Sequence, residues 1–246
     1  MKVSVVVSKG IGKNICEDAV LLGDTVLSEC ELELELELPT TICVADGVGG
    51  NLGGEYASRF LLNEISKNQK MQFDEDIIRN QMLDLNRNLL EYANETDDKK
   101  QMATTLTGLL ISETDMCYVQ SGNTRLYIMQ GNYLKQVTTD HTTYQWLMDC
   151  GKEEAAYLCN KNEIRCCFGG GSERYINQLA VKAIENGTNI STILMTSDGI
   201  HEYVDIDTLE ELLTSRESDI DIAKKVTLLA NANGSKDDKT TIIIRR

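Results

Sequence analysis

The sequence predicts an α/β protein dominated by antiparallel sheet, a layered sandwich rather than a doubly wound parallel sheet. Three observations carry that expectation. Short β-branched or alternating apolar runs outnumber amphipathic helical ones, the runs between 104 and 137 follow one another closely, and one proline interrupts 246 residues.

Strands are expected over 3–7, 41–45, 104–111, 116–120, 125–130, 190–196 and 240–244, where the residues are β-branched or alternate apolar with polar. Within RLYIMQGNYLKQV, Gly131-Asn132 separates two such runs and marks a tight hairpin. ELELELEL at 31–38 alternates with period two, so as a strand it sets Leu on one face and Glu on the other. That reads as a half-buried edge strand whose charges deter edge pairing. Its low complexity leaves a disordered or partner-binding segment as the alternative.

Two helices are clear from their periodicity. Over 55–66, Ala57, Phe60, Leu61 and Ile65 line one side, and over 74–92 the series Ile78, Met82, Leu85, Leu89, Tyr92 steps by four and three. A third helix is expected over 219–230, ended by Asn233-Gly234.

With 41% hydrophobic residues the chain can bury a full core, and 1–246 is read as a single domain. A net charge of -15 argues against a sequence-independent hold on nucleic acid or an anionic membrane surface, because both need clustered Lys and Arg. The N-terminal MKVSVVVSKG lacks the apolar core of a signal peptide and no stretch reaches a bilayer span, so a cytoplasmic location is expected. The eight cysteines contain no CxxC pair and read as reduced, buried thiols rather than as a disulfide framework or a zinc site.

The segment TICVADGVGGNLGGEYAS carries the first chemical signal. A β-branched run ends in one carboxylate, Asp46, and spills into glycines. The dinucleotide fingerprint would need Gly where Leu52 stands, and a P-loop would need a Lys-Ser/Thr pair that never comes. An acid there would repel a phosphate unless a divalent cation lay between them. Asp198 ends ILMTS, Asp237 just precedes TTIIII, and Glu17-Asp18 opens another apolar segment. Any one Asp-Gly after a strand reads as a turn. The set, in this order, points to oxygen ligands converging on one edge of a sandwich, where hard cations bind.

Six ordered blocks then show a resemblance. EDAV, VADGVGG with GGEYAS, ATTLTGLLI, SGNTRLYIMQGNYLKQVTTDHT, LMTSDGI and GSKDDKTTIII run from about residue 10 to the C-terminus. In this order they resemble the metal-dependent protein phosphatases of the 2C type, in their compact bacterial form. The resemblance implies a four-layer sandwich, two antiparallel β-sheets flanked by α-helices, with two Mn or Mg ions at one end. Asp46 would bridge both ions, the Gly47 carbonyl would hold one, and Asp198 and Asp237 would complete the other. These carboxylates are the implied catalytic set, because the ions they hold activate the water that attacks phosphorus. Glu17 and Asp18 would hold metal-bound water from behind. The glycines would let the backbone approach the metals and turn the chain into its helix.

The implied activity is hydrolysis of phosphoserine and phosphothreonine on proteins, opposing a serine/threonine kinase. A pseudophosphatase that binds phosphoproteins with weak or no turnover is the alternative. Four positions depart from the family pattern. Asn123 stands where the family has the Asp linked to a third metal, and Lys13 stands where some members have a phosphate-binding Arg. A Lys neutralises charge without the bidentate fork. Asp238 replaces the usual Asn, as a possible ligand or a solvated acid, and Val48 replaces the His of eukaryotic members. Residues 142–187, with Trp146, Cys166-Cys167 and GGGSE, correspond to the family's variable flap, either a mobile lid or a plain surface subdomain. His141 and His201 read as loop or packing residues, since no partner acid or nucleophile accompanies them.

Overall fold

A computed structural model describes residues 1–48, 53–68, 73–96, 99–185 and 187–246. Its first half runs β1 (Lys2–Ser8), β2 (Ala19–Leu22), β3 (Thr25–Leu27), β4 (Glu31–Glu35), β5 (Thr40–Ala45), α1 (Gly54–Lys67), α2 (Glu75–Glu95), β6 (Ala103–Thr104), β7 (Leu106–Ile111) and β8 (Met116–Ser121). There follow β9 (Arg125–Gln130), β10 (Tyr133–Gln136), α3 (Thr143–Asp149), α4 (Glu153–Leu158), β11 (Phe168–Gly169), β12 (Ala180–Ala183), β13 (Thr192–Thr196), α5 (Asp198–His201), α6 (Ile206–Leu213), α7 (Asp219–Ala232) and β14 (Lys239–Arg245).

Among the described residues the long strands form two six-stranded sheets, ordered β10-β9-β13-β14-β1-β4 and β12-β8-β7-β5-β2-β3, while β6 and β11 make a separate ribbon. Every neighbouring pair is antiparallel. Period-two alternation divides each strand between two cores. Val3, Val5, Val7, Ile242 and Ile244 meet Val20, Leu22, Ile42 and Val44 in the core between the sheets. The intervening Val6, Leu194 and Ile243 face the opposite way, onto α6 and α7 through Leu209, Ile222 and Val226. On the second sheet Leu21, Cys43 and Ala45 face outward onto Leu61 of α1 and Leu85 and Leu89 of α2. The result is the four-layer order of helices, sheet, sheet, helices. Each fully buried apolar side chain contributes about 1.5–3 kcal/mol to holding those layers together.

Local chemistry sets the helix ends. Asp74 stands just outside α2 as its cap, its side chain accepting from the Asp76 and Ile77 amides, and the Ser218 side chain accepts from Asp221 N to start α7. The segment expected as one strand over 104–111 is broken at Thr105, which spends its amide on Asp46 O at 2.8 Å rather than on a ladder partner. The last strand before Asp198 starts at Thr192 rather than at 190. Short elements such as β3, β12, α4 and α5 carry too few residues to print a period in the sequence.

The Glu-Leu repeat is an ordered edge strand, pairing on one side with β1. Its regular part is 31–35, shorter than the repeat, and the chain then leaves the sheet ahead of Pro39, which has no amide hydrogen to donate. Leu32, Leu34, Leu36 and Leu38 pack against the core between the sheets. On the other face Glu33 accepts from Ser4 Oγ at 2.8 Å and pairs with Lys2, and Glu31 pairs with Lys224. Each of the eight cysteines is a free thiol; Cys150 departs from the buried expectation by lying exposed, and Cys30 and Cys159 are only half-buried. Among the described residues no helix is long and apolar enough to cross a membrane.

If the glutamates guard the edge, replacing Glu31, Glu33 and Glu35 together by Val should drive self-association through that strand. Size-exclusion chromatography with light scattering should show larger species than the parent chain at equal concentration, and an unchanged profile would remove the edge-guarding role.

Candidate metal centre

Asp46 lies one residue past β5, and its main chain is pinned from both sides. Its amide donates to Thr105 Oγ1 at 3.1 Å, and its carbonyl accepts from Thr105 N at 2.8 Å and Thr104 Oγ1 at 3.0 Å. The carboxylate is thereby left free of any duty in holding the backbone. Gly47 follows, donating its amide to Glu17 O at 3.2 Å. A Cβ on Gly47 would stand 2.6 Å from the Gly54 backbone, so that position admits no side chain, whereas one on Gly54 would stand 2.6 Å from Glu17 Oε1 and would push that carboxylate aside. Gly49, Gly50 and Leu52 of the same loop lie outside the described residues.

Asp198 opens α5 directly after β13 and Ser197. Its Oδ2 accepts from Asn123 Nδ2 at 2.9 Å, while its Oδ1 is buried without a partner. Asp237, two residues before β14, accepts Lys13 Nζ at 2.6 Å and keeps 45% of its side chain exposed. Asp18 is fully buried behind them, its Oδ2 accepting from Ser197 Oγ at 2.8 Å and Thr240 Oγ1 at 2.7 Å. Its Oδ1 has no partner either. Glu17 reaches Lys13 Nζ through Oε2 at 3.2 Å.

One cavity of about 240 Å³ collects Lys13, Asp46, Gly47, Val48, Asn123, Asp198 and Asp237. Thr105 adds to its wall, and Asn160, Asn162 and Ile164 close it from the segment after α4. Glu17 and Asp18 stay outside this lining, behind the wall. Sequence reasoning passed over Thr105, Ser197, Thr240 and the two asparagines. The first three are hydroxyls beside the motif acids, a discernible signal, whereas NKNEI at 160–164 carries none.

The electrostatics are those of acids forced together. Desolvation, then the charges of Asp18, Asp198 and Asp237, push Asp46 well above the usual carboxylate range. Burial raises Asp18 to about 7, with the neighbouring Asp238 and Asp198 charges adding and the two hydroxyl donors opposing. Asp198 rises to about 6, again through burial first and then Asp237 and Glu202, with Asn123 opposing. As the side chains stand, no three His, Cys, Asp or Glu among the described residues form a complete cage for a metal ion. The donor set nevertheless fits one. All its members are hard oxygens, two buried carboxylate oxygens lack partners, and a divalent cation would relieve the mutual repulsion.

No family model matches the sequence. The chain is 27% identical over 215 residues to the serine/threonine phosphatase stp of Listeria welshimeri, covering 83% of this chain and 84% of that protein. It is 25% identical over 214 residues to a putative 2C-type protein phosphatase of Streptococcus pyogenes, covering 83% and 85%. The crystal structure of serine/threonine phosphatase Stp1 from Staphylococcus aureus matches with a TM-score of 0.81 at 25% identity, covering 99% of this chain and 94% of that one. Over most of its length the chain is thus similar, in sequence and in fold, to 2C-type protein phosphatases.

Against the 2C-type pattern, Asp238 proves to be neither a free ligand nor a solvated acid. It is 1% exposed, and its oxygens accept from Gly10 N at 2.7 Å, Glu17 N at 2.8 Å and Lys13 Nζ at 3.0 Å. Val48 lines the cavity and brings no imidazole to it. His141 Nδ1 faces the Gly122 amide at 3.4 Å and His201 Nδ1 bonds Thr196 Oγ1 at 2.8 Å. Desolvation pushes both imidazoles below their usual pKa, and neither is among the residues lining the cavity.

Since Asn123 donates to Asp198, Asn123→Asp would set two carboxylates against each other in a buried place. The metal-free protein should lose about 1–3 kcal/mol, the penalty for a broken buried hydrogen bond to a charged group. Thermal melts in chelator and in excess Mn should show a lowered midpoint in the first and a smaller gap in the second. Equal midpoints for variant and parent in chelator would show the amide to be idle.

Proposed function

We propose that this 2C-type chain hydrolyses phosphoserine and phosphothreonine on proteins, using two Mn or Mg ions held by Asp46, the Gly47 carbonyl, Asp198 and Asp237. The observation that carries the reading is the gathering of three strand-end carboxylates and one ammonium around a single cavity of about 240 Å³, in a chain whose relatives are named serine/threonine phosphatases. When bound, the ions supply Lewis-acid neutralisation of phosphoryl oxygens and acidify water.

The chain's own residues do the rest. Because Thr104 and Thr105 hold the Asp46 backbone, its carboxylate is free to ligate without disturbing the strand end. Lys13 offers a compact charge on the cavity wall for a phosphoryl oxygen, and a point charge orients less strictly than a guanidinium fork. Glu17 and Asp18 back the ligands and orient water through their remaining oxygens. With Val48 in the loop and both histidines engaged elsewhere, no imidazole stands ready to protonate a departing serine or threonine oxygen. The proton then comes from water, and aryl phosphates, which leave without one, are favoured over alkyl phosphates.

We read 1–246 as one domain and 142–187 as its flap. Asn160, Asn162 and Ile164 line the cavity, and Asn162 Nδ2 donates to Glu202 Oε2 at 3.0 Å, which supports a lid over a plain surface subdomain. The proposed setting is the cytoplasm, with phosphoproteins as substrates and a serine/threonine kinase as the opposing enzyme. A pseudophosphatase is the second reading, favoured by the Asn123 amide that takes up one oxygen of Asp198.

Asp46→Asn and Asp198→Asn should each lower Mn-dependent phosphate release from a phosphothreonine peptide by at least roughly a hundredfold while the protein stays folded. Near-parental rates in either folded variant, or release that survives chelator, would defeat the assignment. His141→Ala and His201→Ala should each cost the peptide rate less than the ~10²-fold typical of a lost general acid. A larger loss for the peptide with aryl phosphate hydrolysis spared would name the mutated histidine as the acid.

A further inference from the structure

Asp238 is not accounted for by the metal-site reading. Its side chain is buried, and both oxygens are already committed to the chain between β1 and β2. Oδ1 accepts from the amide of Gly10 at one end of that loop, and Oδ2 accepts from the amide of Glu17 at the other. A third donor, Lys13 Nζ, reaches the same Oδ2 at 3.0 Å from the middle of the loop. Where Gly10 passes 236–238 a Cβ would stand 2.3 Å from Lys236 O, so the loop is pressed directly onto the strand entry that carries Asp238. The turn within it closes through Lys13 N to Gly10 O at 3.2 Å.

The chemistry requires a carboxylate. A side-chain amide offers one acceptor atom, and its nitrogen would meet one of the two backbone N–H groups donor to donor. An ammonium has three donors and here finds three carboxylates, Asp237, Asp238 and Glu17, at 2.6, 3.0 and 3.2 Å. A flexible four-carbon stem otherwise samples many rotamers, and these anchors remove that freedom; were Asp237 turned to a metal ion, Asp238 and Glu17 would still hold the ammonium and one N–H would be released for a phosphoryl oxygen.

We propose that Asp238 is a positioning residue: it ties both ends of the 10–17 loop and aims the Lys13 ammonium into the cavity as a preset charge for an incoming phosphoryl group. What Lys13 receives rests on the phosphatase reading; where Asp238 holds it does not. Asp238 acts through Lys13 and contacts no substrate itself, because it does not line the cavity.

The test compares Asp238→Asn, Lys13→Met and the double variant. Lys13→Met should raise KM for a phosphothreonine peptide and the inhibition constant of inorganic phosphate roughly tenfold, the scale of one charge-assisted hydrogen bond, with a smaller change in kcat. Asp238→Asn should match it within about a factor of two, and the double variant should be no worse than Lys13→Met alone, since both act on one ammonium. Losses that multiply in the double variant, or an Asp238→Asn that lowers Tm with KM unchanged, would overturn the proposal. A second readout needs neither turnover nor a folded Asp238 variant. In metal-free wild-type protein labelled with ¹⁵N-lysine, the Lys13 ammonium, assigned by its disappearance in Lys13→Met, should exchange slowly enough to be seen. Exchange as fast as that of exposed lysines would overturn the proposal. An inactive wild-type chain with a visible Lys13 signal would count against the phosphatase reading and leave the positioning role standing.

Discussion

The constraint on which the rest depends is that Asp18, Asp46 and Asp198 are gathered at one end of the sandwich, Asp18 and Asp198 buried and Asp46 half-buried. Carboxylates at such distances raise each other's pKa and repel, and nothing in the apolar core compensates for it. The surrounding architecture supplies donors wherever the chain permits: Ser197 and Thr240 for Asp18, Asn123 for Asp198, Lys13 for Asp237. Two buried oxygens are still left over. A protein that spends this many polar groups on containing negative charge is poised for a cation, and the fold's long hydrophobic strands provide the stability against which that strain is held.

Much of this was legible in the sequence because it is periodic or ordered. Alternation in β1, β5 and β14 separates inward from outward residues, and the four-three stepping of Ile78, Met82, Leu85 and Leu89 marks the buried face of α2. Strand-end acids are visible because they interrupt apolar runs. What was not legible depends on contacts across the chain. The break at Thr105 follows from a bond to Asp46, 59 residues away, and no local propensity announces it. Asn160 and Asn162 reach the cavity from a segment of short helices with no period. The burial of Asp238 is likewise tertiary, since an acid after an acid in a polar loop reads as solvated until its partners at Gly10 and Glu17 are seen.

Two of the four departures from the 2C-type pattern turn out to be a single feature. Lys13 and Asp238 meet as partners, Lys13 Nζ donating to Asp238 Oδ2 at 3.0 Å. Asn123 is a separate matter, since its amide acts locally on one oxygen of Asp198. Substitutions that look independent along a sequence are better counted by the contacts they share.

Asp18 also has a mechanical aspect. It precedes β2 of one sheet, yet its hydrogen bonds go to Ser197 and Thr240 at the end of β13 and in β14 of the other. Contacts between the facing valines and isoleucines are non-directional and would let one sheet slide over the other at small cost. The carboxylate bonds are directional, and they sit at one end only. They act as a rivet that fixes the alignment of the two sheets at the end where Asp46, Asp198 and Asp237 gather, while at the other end Arg246, past β14, donates to Ser112 O, past β7, and so ties the sheets a second time.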